Sequence, residues 1–108
     1  MTDRELLELA AKASGLTMLD TLPNMPFWAN AHEGLMGPWN PLEDDGDALR
    51  LAVKLNIHLS PYGGETGMTA WVIREVAESF DEDYGGDPCA ASRRAIVRAA
   101  ADIGRLMP

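Results

Sequence analysis

The chain has 108 residues with 17 acidic and 9 basic side chains, so its formal net charge is −8 at neutral pH. Hydrophobic residues make up 46% of it and charged residues 24%, a composition typical of one globular domain rather than of a disordered chain. Because such a charge is repelled by phosphate backbones, it argues against direct nucleic-acid binding and is compatible with docking on a basic surface.

The sequence predicts a soluble cytoplasmic protein. No apolar run approaches the roughly eighteen residues that span a bilayer. The first residues, MTDRE, lack the basic and apolar segments of a signal peptide. Cys89 is the single cysteine, which excludes an internal disulfide framework and favours a reducing compartment.

The first predicted element is an amphipathic helix over residues 3–13. Thr2 and Glu5 have the spacing of a capping box, and Gly15 supplies a stop signal. Between them apolar residues recur at helical spacing, at Leu6, Leu7, Ala10, Ala11 and Ala13.

Residues 15–41 form a loop rich in proline, glycine and tryptophan, in which four prolines and three glycines prevent any long regular element. The loop is also unusually apolar for a connection, since it contains Met25, Phe27, Trp28, Leu35, Met36 and Trp39. Two interpretations stay open. Either Trp28 and Trp39 fold back onto the core, with a short strand or turn between them, or they form a partner surface.

A second helix is predicted over residues 45–55, where an apolar-periodic run follows a group of acids. These acids are Glu43, Asp44, Asp45 and Asp47, and their position suits a helix N-terminus through capping and the macrodipole.

Residues 56–60 alternate polar and apolar side chains and predict a half-buried strand, followed by a turn at 61–64. Residues 69–76 suit either a strand paired with 56–60 or a helix, and we favour the hairpin. Residues 81–86 are predicted as an acidic turn.

The last helix is predicted over residues 88–105. Asp87 and Pro88 are a typical N-cap and first helical residue, and the alanine-rich run that follows has high helix propensity. Its predicted apolar face contains Ile96, Ala99, Ala100, Ile103 and Leu106. The predicted fold is therefore α+β, a single domain over 1–108 with three helices packed on a small antiparallel sheet.

The sequence contains no motif typical of a catalytic, metal or cofactor site. Cys89 lies in the first turn of the last predicted helix, but only His32 and His58 could act as a base for this thiol, and neither lies in a known signature. We therefore predict that Cys89 is a small buried apolar residue, that His58 is a surface residue, and that the protein is not an enzyme and carries no metal or cofactor.

Charge is distributed unevenly along the chain. Sixteen of the seventeen acids lie in residues 1–88, whereas residues 89–108 contain four arginines and one aspartate. The last helix could bind an anion through Arg93, Arg94 and Arg98, or these arginines could pair with the surplus acids of the same chain.

Two segments together resemble a known family. Residues 39–55, WNPLEDDGDALRLAVKL, are similar to the front half of the proteins of this family. Residues 90–104, AASRRAIVRAAADIG, are similar to their closing helix. The family is that of the small phage and prophage proteins of the phage ABA-sandwich type. The resemblance implies helices flanking a small sheet and a phage origin. It implies no catalytic residues.

The leading hypothesis is a phage-encoded, non-catalytic binding protein that inhibits a host defence effector, as anti-CRISPR proteins do, in the host cytoplasm. It would present acids to the basic nucleic-acid groove of that effector, without itself binding nucleic acid or membrane. The candidate contact residues are Glu43, Asp44, Asp45, Asp47, Glu75, Glu78, Asp81, Glu82, Asp83, Trp28 and Trp39. The first alternative is a sponge, a protein that sequesters a phosphorylated nucleotide, in which Arg93, Arg94 and Arg98 pair with the phosphates and an aromatic residue from 27–39 stacks on the base; a homo-oligomer would suit it. The second is a structural or accessory phage protein.

Overall fold

A computed structural model of the chain describes residues 1–16, 18–19, 28–32, 35–63, 66–73 and 78–108. In chain order its elements are α1 (Asp3–Ser14), β1 (Met18–Leu19), β2 (Trp28–His32), β3 (Leu35–Pro38), α2 (Asp45–Leu55), β4 (His58–Tyr62), β5 (Gly67–Trp71), β6 (Ser79–Asp83) and α3 (Pro88–Arg105). The described strands form two antiparallel sheets, β1-β2-β3 and β4-β5-β6. The predicted α+β class, with three helices and a small antiparallel sheet, is confirmed.

Each helix begins at a side chain that accepts a hydrogen bond from a free backbone amide. Thr2 caps α1 through the amide of Glu5, and Asp87 caps α3. Asp44 caps α2 through the amide of Asp47. The capping box of α1 closes differently from the ideal one, because Glu5 accepts from the Thr2 hydroxyl at 3.2 Å. These caps explain why the predicted helix bounds agree with the structure within one residue.

The largest contact in the core is between α1 and α3, which run side by side, and α2 and β5 add to the same buried cluster. Leu7 and Val97 are among the largest fully buried side chains, and the alanines of α3 allow the two helices to approach closely. Gly104 marks the closest approach, because a Cβ added there would lie 2.0 Å from the carbonyl oxygen of Leu9. Leu106 differs from the prediction: it is the C-cap residue of α3 and is 59% exposed.

The β4-β5-β6 sheet has an inner face against α3 and an outer face that no described helix covers extensively. On the inner face Ala70 is fully buried, and Phe80, its partner on β6, packs against the core. Because side chains alternate along a strand, the neighbours of these two residues belong to the outer face.

Several predicted boundaries need correction. Ser79–Asp83 is a strand rather than part of an acidic turn, and the turn follows it, with Gly85 and Gly86 at positive φ. The strand predicted at 56–60 lies at His58–Tyr62, and its partner is Gly67–Trp71. Within 15–41 the described residues include three short strands; residues 17, 20–27 and 33–34 lie outside the description.

Among the residues that the structure describes, no helix combines the length and the apolarity that crossing a membrane requires.

Candidate functional site

The outer face of the β4-β5-β6 sheet, called here the outer sheet face, carries both aromatic and acidic side chains. The strand register places three residues of each strand on it: His58, Ser60 and Tyr62 of β4, Gly67, Thr69 and Trp71 of β5, and Ser79, Asp81 and Asp83 of β6. All nine have described side-chain environments, and His58, Ser79, Asp81 and Asp83 are exposed.

Tyr62 lies across the sheet and reaches Asp83 on the far strand. Its hydroxyl donates a hydrogen bond of 2.6 Å to Oδ1 of Asp83. Gly67, between them, leaves the space that the ring fills, since a Cβ there would lie 2.3 Å from the phenol. The hydrogen bond to the Asp83 carboxylate raises the pKa of Tyr62 to about 12.

Asp81 is held in the same way by its cross-strand neighbour. The Thr69 hydroxyl donates a hydrogen bond of 2.8 Å to Oδ1 of Asp81. In both Asp81 and Asp83 the second carboxylate oxygen, Oδ2, accepts no hydrogen bond from a described residue, and neither carboxylate forms an ion pair within the described chain. Two oriented acceptors, two residues apart on one strand, therefore face solvent.

Trp71 and His58 stack on the same face, one strand away from these carboxylates. Their ring centroids are 5.4 Å apart and their planes differ by 16°. His58 lies on β4, and β6 lies on the other side of β5. There the partner of Trp71 is the small residue Ser79. The prediction that His58 is a surface residue is confirmed, because it is exposed.

Glu82 does not share the outer sheet face, because it alternates with Asp81 and Asp83 along β6. Its carboxylate forms an ion pair with Nη1 of Arg98, whose guanidinium lies 5.3 Å from the ring centroid of Phe80. The same Nη1 donates to the carbonyl of Asp81 at 2.9 Å and so satisfies a polar group on β6. Glu82 and Arg98 therefore attach the sheet to α3, and Glu82 is not a free contact residue.

The acids at residues 43–47 mostly have structural roles. Asp44 caps α2, and Asp45 accepts from Nη1 of Arg93 at 2.5 Å. Asp47 accepts from the backbone amide of Asn40 at 2.9 Å and pairs with Arg50. Glu43 is exposed, and no described side chain forms an ion pair with it.

The three arginines proposed as an anion site are directed to three different elements. Arg93 donates to Asp45 and to the carbonyl of Leu42, and its hydrogen bond to the Asp45 carboxylate is the main cause that raises the pKa of its guanidinium. Arg94 pairs with Asp3 at 2.9 Å. Together with the Arg98 pair, these contacts agree with the intramolecular interpretation and leave no cluster of free guanidinium groups on α3.

The remaining predicted contact residues do not form one surface. Trp39 is 5% exposed and belongs to the core, so it agrees with the interpretation in which the loop folds back. Trp28 lies on β2, but its side chain is outside the description. Glu75 is also outside the description, whereas Glu78 is exposed just before β6.

Cys89 is exposed, which corrects the prediction of a buried residue. It borders a cavity of about 250 Å³ together with Met68 and Tyr84. Asp45 also lines this cavity, and its carboxylate is paired with Arg93. Among the described residues, no group of three or more histidine, cysteine or acidic side chains could hold a metal ion.

A second concave surface lies along α2. This groove, of about 760 Å³, is lined by apolar side chains that include Leu16, Leu49 and Val53, with Arg50 and Lys54 also on its walls. Leu49 and Val53 are 62% and 69% exposed, so this face of α2 has no described partner.

Sequence reasoning missed the aromatic part of the outer sheet face. In the sequence Tyr62 indicated only a turn and Trp71 only a strand. Their shared position on one sheet face could not be predicted, because the pairing register of strands is set by contacts between segments.

Comparisons of this chain with protein-family models, with curated proteins and with solved structures found no match.

Proposed function

We propose that this protein is a non-catalytic binding protein whose outer sheet face docks on a basic surface of another macromolecule. The proposal depends on one observation: the arginines of α3 are paired within the chain, whereas two acids of the outer sheet face are not. Arg93, Arg94 and Arg98 are each paired with an acid of the same chain. Asp81 and Asp83, in contrast, are exposed and pair with no described cation.

Rigid, oriented carboxylates suit this role. The hydroxyls of Tyr62 and Thr69 fix the two carboxylates, so little side-chain freedom remains to be lost when a cation binds. The net charge of −8 adds a long-range attraction that speeds encounter with a basic partner. Both effects favour a positively charged protein over nucleic acid, which the same charges repel.

The resemblance of residues 39–55 and 90–104 to phage ABA-sandwich proteins supports a setting in an infected bacterial cell. We therefore propose that the partner is a nucleic-acid-binding effector of a host defence system, of which CRISPR–Cas effectors are one class. Occupying its groove would exclude DNA or RNA by direct competition. The protein would act in the host cytoplasm, without catalysis, cofactor or membrane contact.

Capture from host lysate by three immobilised forms of the protein tests this proposal. They are the wild type, the neutralised variant Asp81→Asn/Asp83→Asn, and a charge-matched control, Glu5→Gln/Glu43→Gln, whose two residues lie on α1 and before α2. We expect that the wild type and the control both retain the same lysate protein and that the neutralised variant does not. Added duplex DNA should release this protein from the wild type.

Retention by all three forms alike would contradict a role for the outer sheet face. A captured partner that DNA does not displace would instead favour an accessory role in phage assembly. Release of a nucleotide from the purified wild type, with no protein partner, would favour the sponge hypothesis, for which Arg93, Arg94 and Arg98 would have to leave their present acids.

A further inference from the structure

We propose that the outer sheet face recognises arginine in particular, by stacking a guanidinium on the face of the Trp71 indole opposite His58 while Asp81 accepts its hydrogen bonds. This inference rests on the proposed function and names the chemical group through which the basic partner is bound.

The position for the guanidinium follows from the register of β5 and β6. Trp71 pairs with Ser79, and Asp81 is the next residue of β6 on the same face. Trp71 and Asp81 are therefore diagonal neighbours, a relation that places side chains about 7–8 Å apart. A flat cation fits between an indole and a carboxylate at that separation, and Ser79 is small enough to leave the space open.

The contacts that Trp71 and Asp81 make within the chain also support this position for the guanidinium. His58 stacks on the indole from β4, and Asp81 lies on β6, the strand on the other side of Trp71. Thr69 occupies Oδ1 of Asp81, which leaves Oδ2 to accept from a ligand. Arg98 does not compete for this carboxylate, because it approaches from the α3 side and binds the Asp81 carbonyl.

A second cation can bind beside the first. Asp83 lies two residues beyond Asp81 on the same strand and the same face, about 6.6 Å further along. An extended basic segment repeats its side chains at the same interval. The face therefore fits a segment with basic residues at alternate positions, with the arginine opposite Trp71 and either cation opposite Asp83.

The combination of ring and carboxylate favours arginine over lysine. A guanidinium is planar and weakly hydrated, so it stacks on an aromatic ring and still donates to a carboxylate in its own plane. A lysine ammonium is a strongly hydrated point charge, and it gains mainly the electrostatic attraction of Asp81 and Asp83. Trp71 should therefore discriminate between the two cations, whereas the acids should attract both.

Fluorescence anisotropy with two labelled peptides, nona-arginine and nona-lysine, tests this separation. For the wild type we expect tighter binding of nona-arginine. Trp71→Leu should weaken nona-arginine binding about three- to tenfold and change nona-lysine binding less than twofold. Trp71→Phe, which keeps a ring face, should recover most of the loss, and the circular dichroism spectrum of each variant should match that of the wild type.

The outcomes separate this inference from the proposed function. Equal loss of both peptides in Trp71→Leu, or no loss of either, would overturn arginine recognition and leave the acidic docking face intact. If Asp81→Asn/Asp83→Asn binds both peptides as tightly as Glu5→Gln/Glu43→Gln does, the docking face itself is wrong and both proposals fail.

Discussion

At the scale of single residues, Tyr62 and Asp83 connect the two edge strands of the β4-β5-β6 sheet through one hydrogen bond of 2.6 Å. The bond requires Gly67 between them, because any Cβ at that position would occupy the place of the phenol ring. The absence of a side chain at Gly67 is therefore necessary for the arrangement of Tyr62 and Asp83 on the outer sheet face.

The titration of Tyr62 measures this contact directly. In a Tyr84→Phe background, which leaves Tyr62 as the one tyrosine, its pKa should be about 12. Asp83→Ala removes the hydrogen bond that is the main cause of the shift, so the pKa should fall toward 10.0, whereas Glu5→Gln on α1 should leave it unchanged. Phenolate absorbance follows the titration, and an unaltered pKa in Asp83→Ala would contradict the assignment.

The same shift predicts how stability depends on pH. The folded state holds the Tyr62 proton more tightly than the unfolded state, whose phenol titrates near 10. The stabilisation is therefore fully present below about pH 10 and is lost as pH rises toward about 12. Urea unfolding across this range should show a steeper loss of stability for the wild type than for Asp83→Ala.

At the scale of elements, the contact between α1 and α3 depends on the small residues of α3. Glycine is an unfavourable residue within a helix, and replacing it with alanine stabilises an isolated helix by about 1 kcal/mol. At Gly104 the added Cβ would meet the backbone of Leu9 at 2.0 Å, and neither backbone can yield without separating the helices.

We therefore expect Gly104→Ala to destabilise the protein by about 1–3 kcal/mol, as overpacking does elsewhere. Gly46→Ala on α2 is the matched control. Its Cβ would lie 3.2 Å from side-chain atoms of Arg50 and of the N-cap residue Asp44, and the three nearest atoms all belong to side chains, so we expect a smaller loss of stability than in Gly104→Ala. Denaturant unfolding measures the change in stability of both variants. A stabilising Gly104→Ala would contradict the close helix contact.

The helices could be predicted from the sequence because their signals are local. Thr2, Asp87 and Pro88 mark helix starts within a few residues of the chain, and α2 and α3 have the predicted bounds. β6 could not be predicted in the same way, because acids and serine disfavour strands and resemble a turn. What makes it a strand is distant: Thr69 beside Asp81, and Arg98 beneath Glu82.

The candidate site shows the same division. Acidity of residues 81–83 is visible in the sequence, but which of the three acids faces solvent depends on the strand register, and so does the position of Trp71 beside them. Burial of Trp39 also depends on contacts with the core that loop composition does not encode.

At the scale of the whole molecule, the arginines of α3 hold the surrounding elements to one helix. Arg93 reaches the start of α2, Arg94 the start of α1, and Arg98 reaches β6. The acidic parts of the chain are thereby attached to its one basic helix, and the molecule neutralises these arginines internally while keeping its net negative charge.

Replacing these three arginines together with lysine tests this arrangement without changing the net charge. Lysine cannot donate in the planar fork of a guanidinium, so Arg93 would lose simultaneous contact with Asp45 and the Leu42 carbonyl. We expect a loss of about 1–2 kcal/mol in the free energy of unfolding, most of it from Arg93, since the Arg93 side chain is 15% exposed whereas Arg94 and Arg98 are 39% and 37% exposed. Thermal unfolding of the triple and single variants checks this. An unchanged melting temperature in the Arg93→Lys single variant would contradict it.

The pairing of α1 with α3 also determines when the protein can fold during its synthesis. The apolar side of α1 leaves the ribosome first, but its main partner, α3, leaves about ninety residues later, as the Lys12 to Met107 contact spans a separation of 95. Until then Leu6 and Leu7 lack the α3 surface that completes their packing. A stalled or truncated product that ends before α3 would expose them, and would be a substrate for chaperones and proteases rather than a partly active fragment.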